Sequence, residues 1–116
     1  MKRENVIVLK SKAFAVRIVK LCRYMTERKR EYVMSRQLLR SGTSIGANVR
    51  EAIRGQTQVD FASKMNIALK EASETEYWLE LLYETEYLSS KEFQSIYRDC
   101  VELNRILTAI VKSAHQ

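Results

Sequence analysis

No proline interrupts this chain of 116 residues, and glycine occurs only three times. A fold built from many strands and tight turns draws heavily on both, so this scarcity steers the chain away from all-β architectures. In their place stands a repeat. Phe14, Ile18, Leu21 and Met25 recur at spacings of four, three and four, which is one face of a helix over about residues 10–30. The preceding "VIVL" either prolongs that helix or forms a short arm, and "TERKREYV" reads as the first joint.

Three more segments repeat the pattern. Over 35–54, Leu38, Gly42, Ile45, Val49 and Ala52 share a face, with Ser35 as the expected N-cap and Gly55 as the expected left-handed residue past the end. After the joint "GQTQ", a helix over 59–86 keeps the alternation through Phe61, Met65, Ala68, Ala72, Thr75, Leu79 and Leu82. Ser89 followed three residues later by Glu92 fits a capping box. It opens a fourth helix over 90–113 that carries Phe93, Ile96, Cys100, Leu103, Leu107 and Ile110. Four amphipathic helices with short joints predict an all-α, antiparallel up-down-up-down four-helix bundle, one domain over residues 1–116.

A chain this long buries a sufficient core without disulfide or metal. Cys22 and Cys100 both fall on apolar stripes, which predicts buried free thiols in a reducing compartment. The apolar run near the N-terminus is too short for a signal peptide, and no stretch approaches a membrane span of about 20 residues. A cytoplasmic protein without membrane attachment is expected.

The second helix is unusual in composition. "LLRSGTSIGANVREA" places Gly42 and Gly46 on its apolar face, at a cost of roughly 1 kcal/mol each against alanine. Small residues there permit close approach of another helix, either within the bundle or from a second subunit. Ser41, Ser44 and Asn48 cluster at one margin, where polar groups can bond across a tight contact. The opposite side carries Arg36, Arg40, Arg50 and Arg54 within an arc of about 80°, spread over about 27 Å. A guanidinium pairs two-pronged with phosphate or carboxylate, so this stripe is either a solvated face with local partners or a face for an anionic ligand.

Charge is divided unevenly. Residues 1–54 carry a net +10 and residues 55–116 a net −4, together the +6 of the chain. A basic half holds nucleic acid through its phosphates, or meets the acidic half of a neighbouring subunit in a heterologous contact. Helix three carries Glu71, Glu74, Glu76, Glu80, Glu84 and Glu86, and its Tyr77, Trp78 and Leu81 lie off the main stripe. They either broaden the core contact or form a protein-binding patch.

Catalysis has little support. His115, the single histidine, sits beside the C-terminus, and no Cys or His spacing resembles a zinc site. "SGTSIGAN" lacks the lysine of a phosphate loop, and Glu71 with Glu74 lacks the histidines of a di-iron bundle. No cofactor is expected.

"SRQLLRSGTSIGANVREA" and "DFASKMNIALKEASETEYWLELL" closely resemble the small four-helix-bundle proteins encoded in intervening sequences of bacterial 23S ribosomal RNA genes. The likeness runs nearly end to end, including "SKAFAVRIVKL" and "LTAIVKS", with "SIGAN" and "KEASETEYWL" in matching order and separation. The resemblance implies homo-oligomers, with five-membered rings expected. It also implies an architecture similar to the accessory proteins of diversity-generating retroelements, which associate with nucleic acid. It further implies a subunit-interface role for Gly42, Ser44, Gly46, Asn48 and Trp78, to which Leu81 is added as a neighbour on the same patch. Ala52 and Arg54 stand where relatives are more acidic or glycine-rich, which strengthens the arginine stripe here. The expected function is therefore a non-catalytic homo-oligomer that binds structured RNA by its backbone through Arg36, Arg40, Arg50 and Arg54, with Arg17 and Lys20 from helix one. The alternative is a scaffold or adaptor whose arginines meet an acidic protein partner.

Overall fold

The computed structural model describes residues 2–115, with the backbone alone at Arg3 and Glu4; Met1 and Gln116, the ends of the expected domain, lie outside the described residues. Four helices account for nearly all of it: α1 Arg3–Glu27, α2 Val33–Ile53, α3 Gln58–Glu84 and α4 Ser90–Ala114. Each packs on its neighbours in sequence, α1 closes against α4, and the diagonal pairs stay apart. The result is the up-down-up-down bundle, a rod of 44 × 21 × 21 Å. Its axis is filled by Phe14, Ile18, Met25, Leu38, Ile45, Met65, Leu79, Leu82, Leu103 and Leu107, none more than 2% exposed. Each such side chain contributes about 1.5–3 kcal/mol of burial free energy.

The helix ends differ from expectation in three places. α1 starts at Arg3, not near Lys10, because Ile7 and Ser11 prolong the buried stripe and "VIVL" continues the helix. Ser35 is not the N-cap of α2, which begins two residues earlier. The buried Glu31 carboxylate does that work, accepting the backbone N–H groups of Val33, Met34 and Ser35 at 3.2, 3.1 and 2.8 Å. An ionised group at the positive end of a helix outcompetes a hydroxyl. The Ser35 hydroxyl in fact donates to the same carboxylate at 3.1 Å.

Gly55 is not left-handed either; among the described residues those with positive φ are Arg30 at 57° and Glu86 at 70°. Arg30 lets the chain turn so that the Glu31 N–H reaches the Met25 carbonyl at 3.1 Å. Gly55 serves a different need: a Cβ there would stand 3.1 Å from the Ala52 carbonyl oxygen and 3.2 Å from Asp60 Cβ. A side chain there would press on the end of α2 and the start of α3, which would have to give by a few tenths of an ångström. Thr57 caps α3 through the Asp60 N–H at 3.0 Å, and Ser89 with Glu92 forms the expected capping box on α4.

Both cysteines are buried free thiols. They face different seams: Cys22 donates to the Ser35 carbonyl at 3.3 Å on α2, Cys100 to the Ala72 carbonyl at 3.5 Å on α3. Among the described residues, no helix is long and apolar enough to cross a membrane.

Candidate nucleic-acid and subunit interfaces

Helical geometry sends Arg36, Arg40, Arg50 and Arg54 outward from α2, and all four are exposed. They do not have the same surroundings. Arg40 leans onto α3, where it pairs with Glu71 at 3.1 Å and with Glu74. Glu74 also accepts the indole N–H of Trp78 at 2.9 Å, so one carboxylate ties α2 to the aromatic patch of α3. Arg36, Arg50 and Arg54 take part in no ion pair among the described residues.

The helix-one candidates also separate. Arg17 turns to α4, bonding Asp99 at 2.7 Å, the Ser95 hydroxyl at 3.0 Å and the Ser95 carbonyl at 3.3 Å. Lys20 is exposed. Nearer the arginines of α2 are two cations that sequence reasoning missed. Lys12 and Arg50 border a groove of about 390 Å³ floored by Ala15 and Gly46. Arg23 and Arg36 border another of about 380 Å³ with Val19 and Leu39. Lys12, Val16, Val19 and Arg23 recur at four, three and four, an outward stripe that the search for buried periodicity passed over.

Of the small residues, Gly42 belongs to the interior. A Cβ there would lie 2.8 Å from Ile18 Cγ1 and 2.9 Å from Cγ2, so α1 occupies the space a side chain would need. Gly46 is less tightly covered, with the Ser11 carbonyl oxygen at 3.4 Å from its virtual Cβ. Ser41 bonds across to α3, accepting the Thr75 hydroxyl at 2.9 Å. Asn48 instead donates to the Ser44 carbonyl of its own helix at 2.8 Å. Ser44, Gly46, Asn48, Trp78 and Leu81 all stay partly exposed.

Many carboxylates of the acidic half are held in contacts within the bundle. Glu71 and Glu74 are engaged as above, which also removes them as a free carboxylate pair. The Tyr97 hydroxyl sits 2.6 Å from Glu80 and 3.3 Å from Glu76, and Glu76 also accepts from Asn104. The hydrogen bond to Glu80, then burial, then the two carboxylate charges hold the Tyr97 phenol above its ordinary range. On α4, Asp99 and Glu102 are taken by Arg17 and Lys10. The remaining acids of this half are Glu92 in its cap, Asp60 in the first turn of α3, and Glu84 and Glu86 at one end of the rod.

The thiols are chemically quiet. Burial, with the Glu31 charge adding to it, pushes Cys22 up to about 12, and burial chiefly raises Cys100 as well. A thiol held protonated is a poor nucleophile and a poor metal ligand. The geometry offers surfaces for association and little for covalent chemistry.

Comparison with known proteins agrees with this architecture. The sequence model described as 23S rRNA-intervening sequence protein matches residues 3–109. Among curated proteins, none matches the chain. A crystal structure at 1.70 Å resolution of a protein of unknown function from Bacteroides thetaiotaomicron VPI-5482, of the S23 ribosomal protein family, is 54% identical. It superposes with a TM-score of 0.94 over 96% of this chain and 99% of the other.

Proposed function

The chain belongs to the 23S rRNA-intervening sequence protein family, and from that premise we propose that it is a non-catalytic cytoplasmic homo-oligomer that binds the phosphate backbone of structured RNA. The observation that carries this reading is the difference in how the two signs of charge are used. Carboxylates of α3 and α4 are engaged by Arg40, Trp78, Tyr97, Asn104, Lys10 and Arg17, while Lys12, Arg23, Arg36, Arg50 and Arg54 on the α1–α2 side are in no ion pair among the described residues. An acidic neighbour drawn from the same chain has few free carboxylates to offer, whereas a phosphate backbone supplies an anion at every step. Contacts of this kind favour backbone over base and give weak sequence preference. Self-association, proposed as a five-membered ring, uses the partly exposed Ser44, Gly46, Asn48, Trp78 and Leu81.

The test is binding of a structured RNA hairpin across a salt series, with wild type and an Arg36→Gln/Arg50→Gln/Arg54→Gln variant. Arg40 is left intact to keep the α2–α3 network. The wild type should show log affinity falling with log salt, and the variant a slope smaller by about 0.7–0.9 for each phosphate it no longer neutralises. Equal slopes would end the reading. Light scattering on the same samples reads the subunit number; a monomer would remove the oligomeric half of the proposal.

The second reading, an adaptor for an acidic protein, is favoured by one observation. Val16, Val19, Leu39 and Ile53 are all at least 38% exposed on the side where these cations lie. Apolar surface interleaved with charge is usual in protein contacts. Tight binding of an acidic protein with no measurable RNA affinity would put this reading first.

A further inference from the structure

The outer face of α4 carries cations at strict seven-residue intervals: Lys91, Arg98, Arg105 and Lys112. All four are exposed. A seven-residue step is nearly two helical turns, so they form a line about 31 Å long with about 10.5 Å between neighbours. Between them on the same stripe lie Gln94, Ser95, Val101, Glu102, Thr108 and Ala109, of which Glu102 alone is acidic. Glu102 is the carboxylate within helical reach of Arg98 and Arg105, and Lys10 holds both of its oxygens at 3.0 Å from across the α1 seam. Asp99 is likewise turned to Arg17 at 2.7 Å. Glu76 borders a shallow groove beside Arg105, with its carboxylate accepting from Tyr97 and Asn104. The helix therefore divides its charges: Asp99 and Glu102 are tied across the α1 seam by Arg17 and Lys10, while the four cations point outward. The count by halves hides this, because α3 and α4 together sum to an acidic number.

We infer that this α4 stripe is a second phosphate-backbone surface, so that each protomer holds two nucleic-acid segments on opposite sides of the rod. The inference deepens the RNA-binding reading and rests on it. α2 and α4 occupy diagonal corners of the bundle, and their outward faces point away from each other across a rod 21 Å wide. One rigid duplex lying against α2 cannot also lie along α4. The four cations in line match a linear polyanion rather than a compact anion, since about 10 Å between charges is too far for one phosphate group to span.

The experiment uses two RNA duplexes of the same sequence, one carrying a donor dye and one an acceptor, with the intact protein. Energy transfer reports bridging, and anisotropy of a single labelled duplex reports binding. Three proteins are compared: wild type, the α2 variant Arg36→Gln/Arg50→Gln/Arg54→Gln, and an α4 variant Lys91→Gln/Arg98→Gln/Arg105→Gln/Lys112→Gln. Helicity and subunit number are checked for each. The α4 variant should still bind one duplex through α2 but lose energy transfer, while the α2 variant, left with the α4 stripe, should bind with a salt slope of about 3 if all four cations are engaged. A charge-conserving Arg98→Lys/Arg105→Lys protein should bridge as the wild type does. Energy transfer unchanged in the α4 variant would overturn the inference while leaving the α2 reading standing, since bridging would then come from α2 faces of different subunits. Binding that disappears with the α4 variant and survives the α2 variant would do the reverse. No RNA affinity in the wild type, with an acidic protein captured instead, would overturn both.

Discussion

The two flanks of α2 are held by different means. Toward α1 the seam is closed chiefly by shape: Gly42 lets Ile18 seat where a side chain would be, and a thiol donor from Cys22 reaches the Ser35 carbonyl at 3.3 Å. Toward α3 the seam is polar, with Thr75 and Ser41 joined at 2.9 Å in the interior and Arg40 bound to Glu71 at 3.1 Å nearer the surface. Packing at Gly42 is set by shape and tolerates no added volume. Hydrogen bonds and ion pairs exchange with water, so each contributes a modest net amount. Alterations at Gly42 should therefore be costly, and those on the α3 side graded by burial.

The largest effect is expected at Gly42. A valine there places its Cβ less than 3 Å from Ile18, which is fully buried and cannot retreat. Gly42→Val should destabilise by about 3 kcal/mol, at the upper end for overpacking. Chemical denaturation checks this. Gly46→Ala is the contrasting case on the same flank: its Cβ meets only an ordinary contact at 3.4 Å, and alanine gains helix propensity. Stabilisation of roughly 0.5–1 kcal/mol should follow. A loss at both glycines would mean the seam is equally tight along its length, and the distinction drawn between them would fail.

Next comes Glu31, which joins the α1 and α2 ends. Burial raises its carboxyl, but hydrogen bonds from Met34, Ser35 and Val33 outweigh that and leave it below its ordinary value of 4.5. A carboxyl lowered on folding contributes stability fully above its unfolded pKa and loses it as pH falls through the folded one. Unfolding free energy should thus decline below about pH 4.5, and Glu31→Gln should remove part of that decline. At neutral pH the variant should cost about 2 kcal/mol, the range for hydrogen bonds to a charged group. Denaturant midpoints measured from pH 7 to pH 3 give both numbers. A decline of equal size in the variant would assign the acid sensitivity to other carboxylates.

These elements also mark what the order of residues alone determines. The bundle and its buried stripe follow from a 3–4 repeat, because burial imposes the same period on every turn. Helix ends are decided by single competitions, and there Ser35 lost to Glu31, whose longer ionised side chain reaches three N–H groups at once. At Gly55 the residue type was informative but the cause was different: space, not backbone hand. In the candidate site, a helical wheel gave the outward direction of Arg36, Arg50 and Arg54 correctly. It gave no account of which neighbouring helix holds a partner, so Arg40 and Arg17 read as free when each lies at a seam. Counting charge by halves failed on α4 for the same reason, since only the packing shows that Asp99 and Glu102 face α1.

On the α3 flank, Thr75→Val keeps the shape of a fully buried residue and removes its hydroxyl. Ser41 then loses its partner on α3 and keeps a weaker contact to the Leu38 carbonyl at 3.5 Å. A cost of about 1 kcal/mol is expected. Simultaneous Ser41→Ala should recover part of it, because the double variant leaves no hydroxyl stranded. A double variant as unstable as the two single variants summed would show that the hydroxyls act independently and that the seam is not joined by this bond.

The smallest expected effect, at Arg40, separates structure from function on the same helix. Its side chain is 48% exposed, so solvent and salt screen its pairs with Glu71 and Glu74, and Arg40→Gln should cost only about 0.5 kcal/mol. The informative signal is Trp78, whose indole N–H shares Glu74 with Arg40. Without the guanidinium, Glu74 is held by the indole alone and its charge is no longer neutralised beside the ring, so the fluorescence emission of Trp78 should shift. Added salt should produce a smaller shift in the wild type than in the variant, because the ion pair already neutralises the carboxylate. RNA affinity should change less for Arg40→Gln than for Arg36→Gln or Arg50→Gln, since breaking two ion pairs is the condition for Arg40 to reach a phosphate. If Arg40→Gln instead weakens RNA binding most and leaves Trp78 unmoved, Arg40 faces the ligand, and the α3 flank of α2 is the binding side in place of the α1 flank.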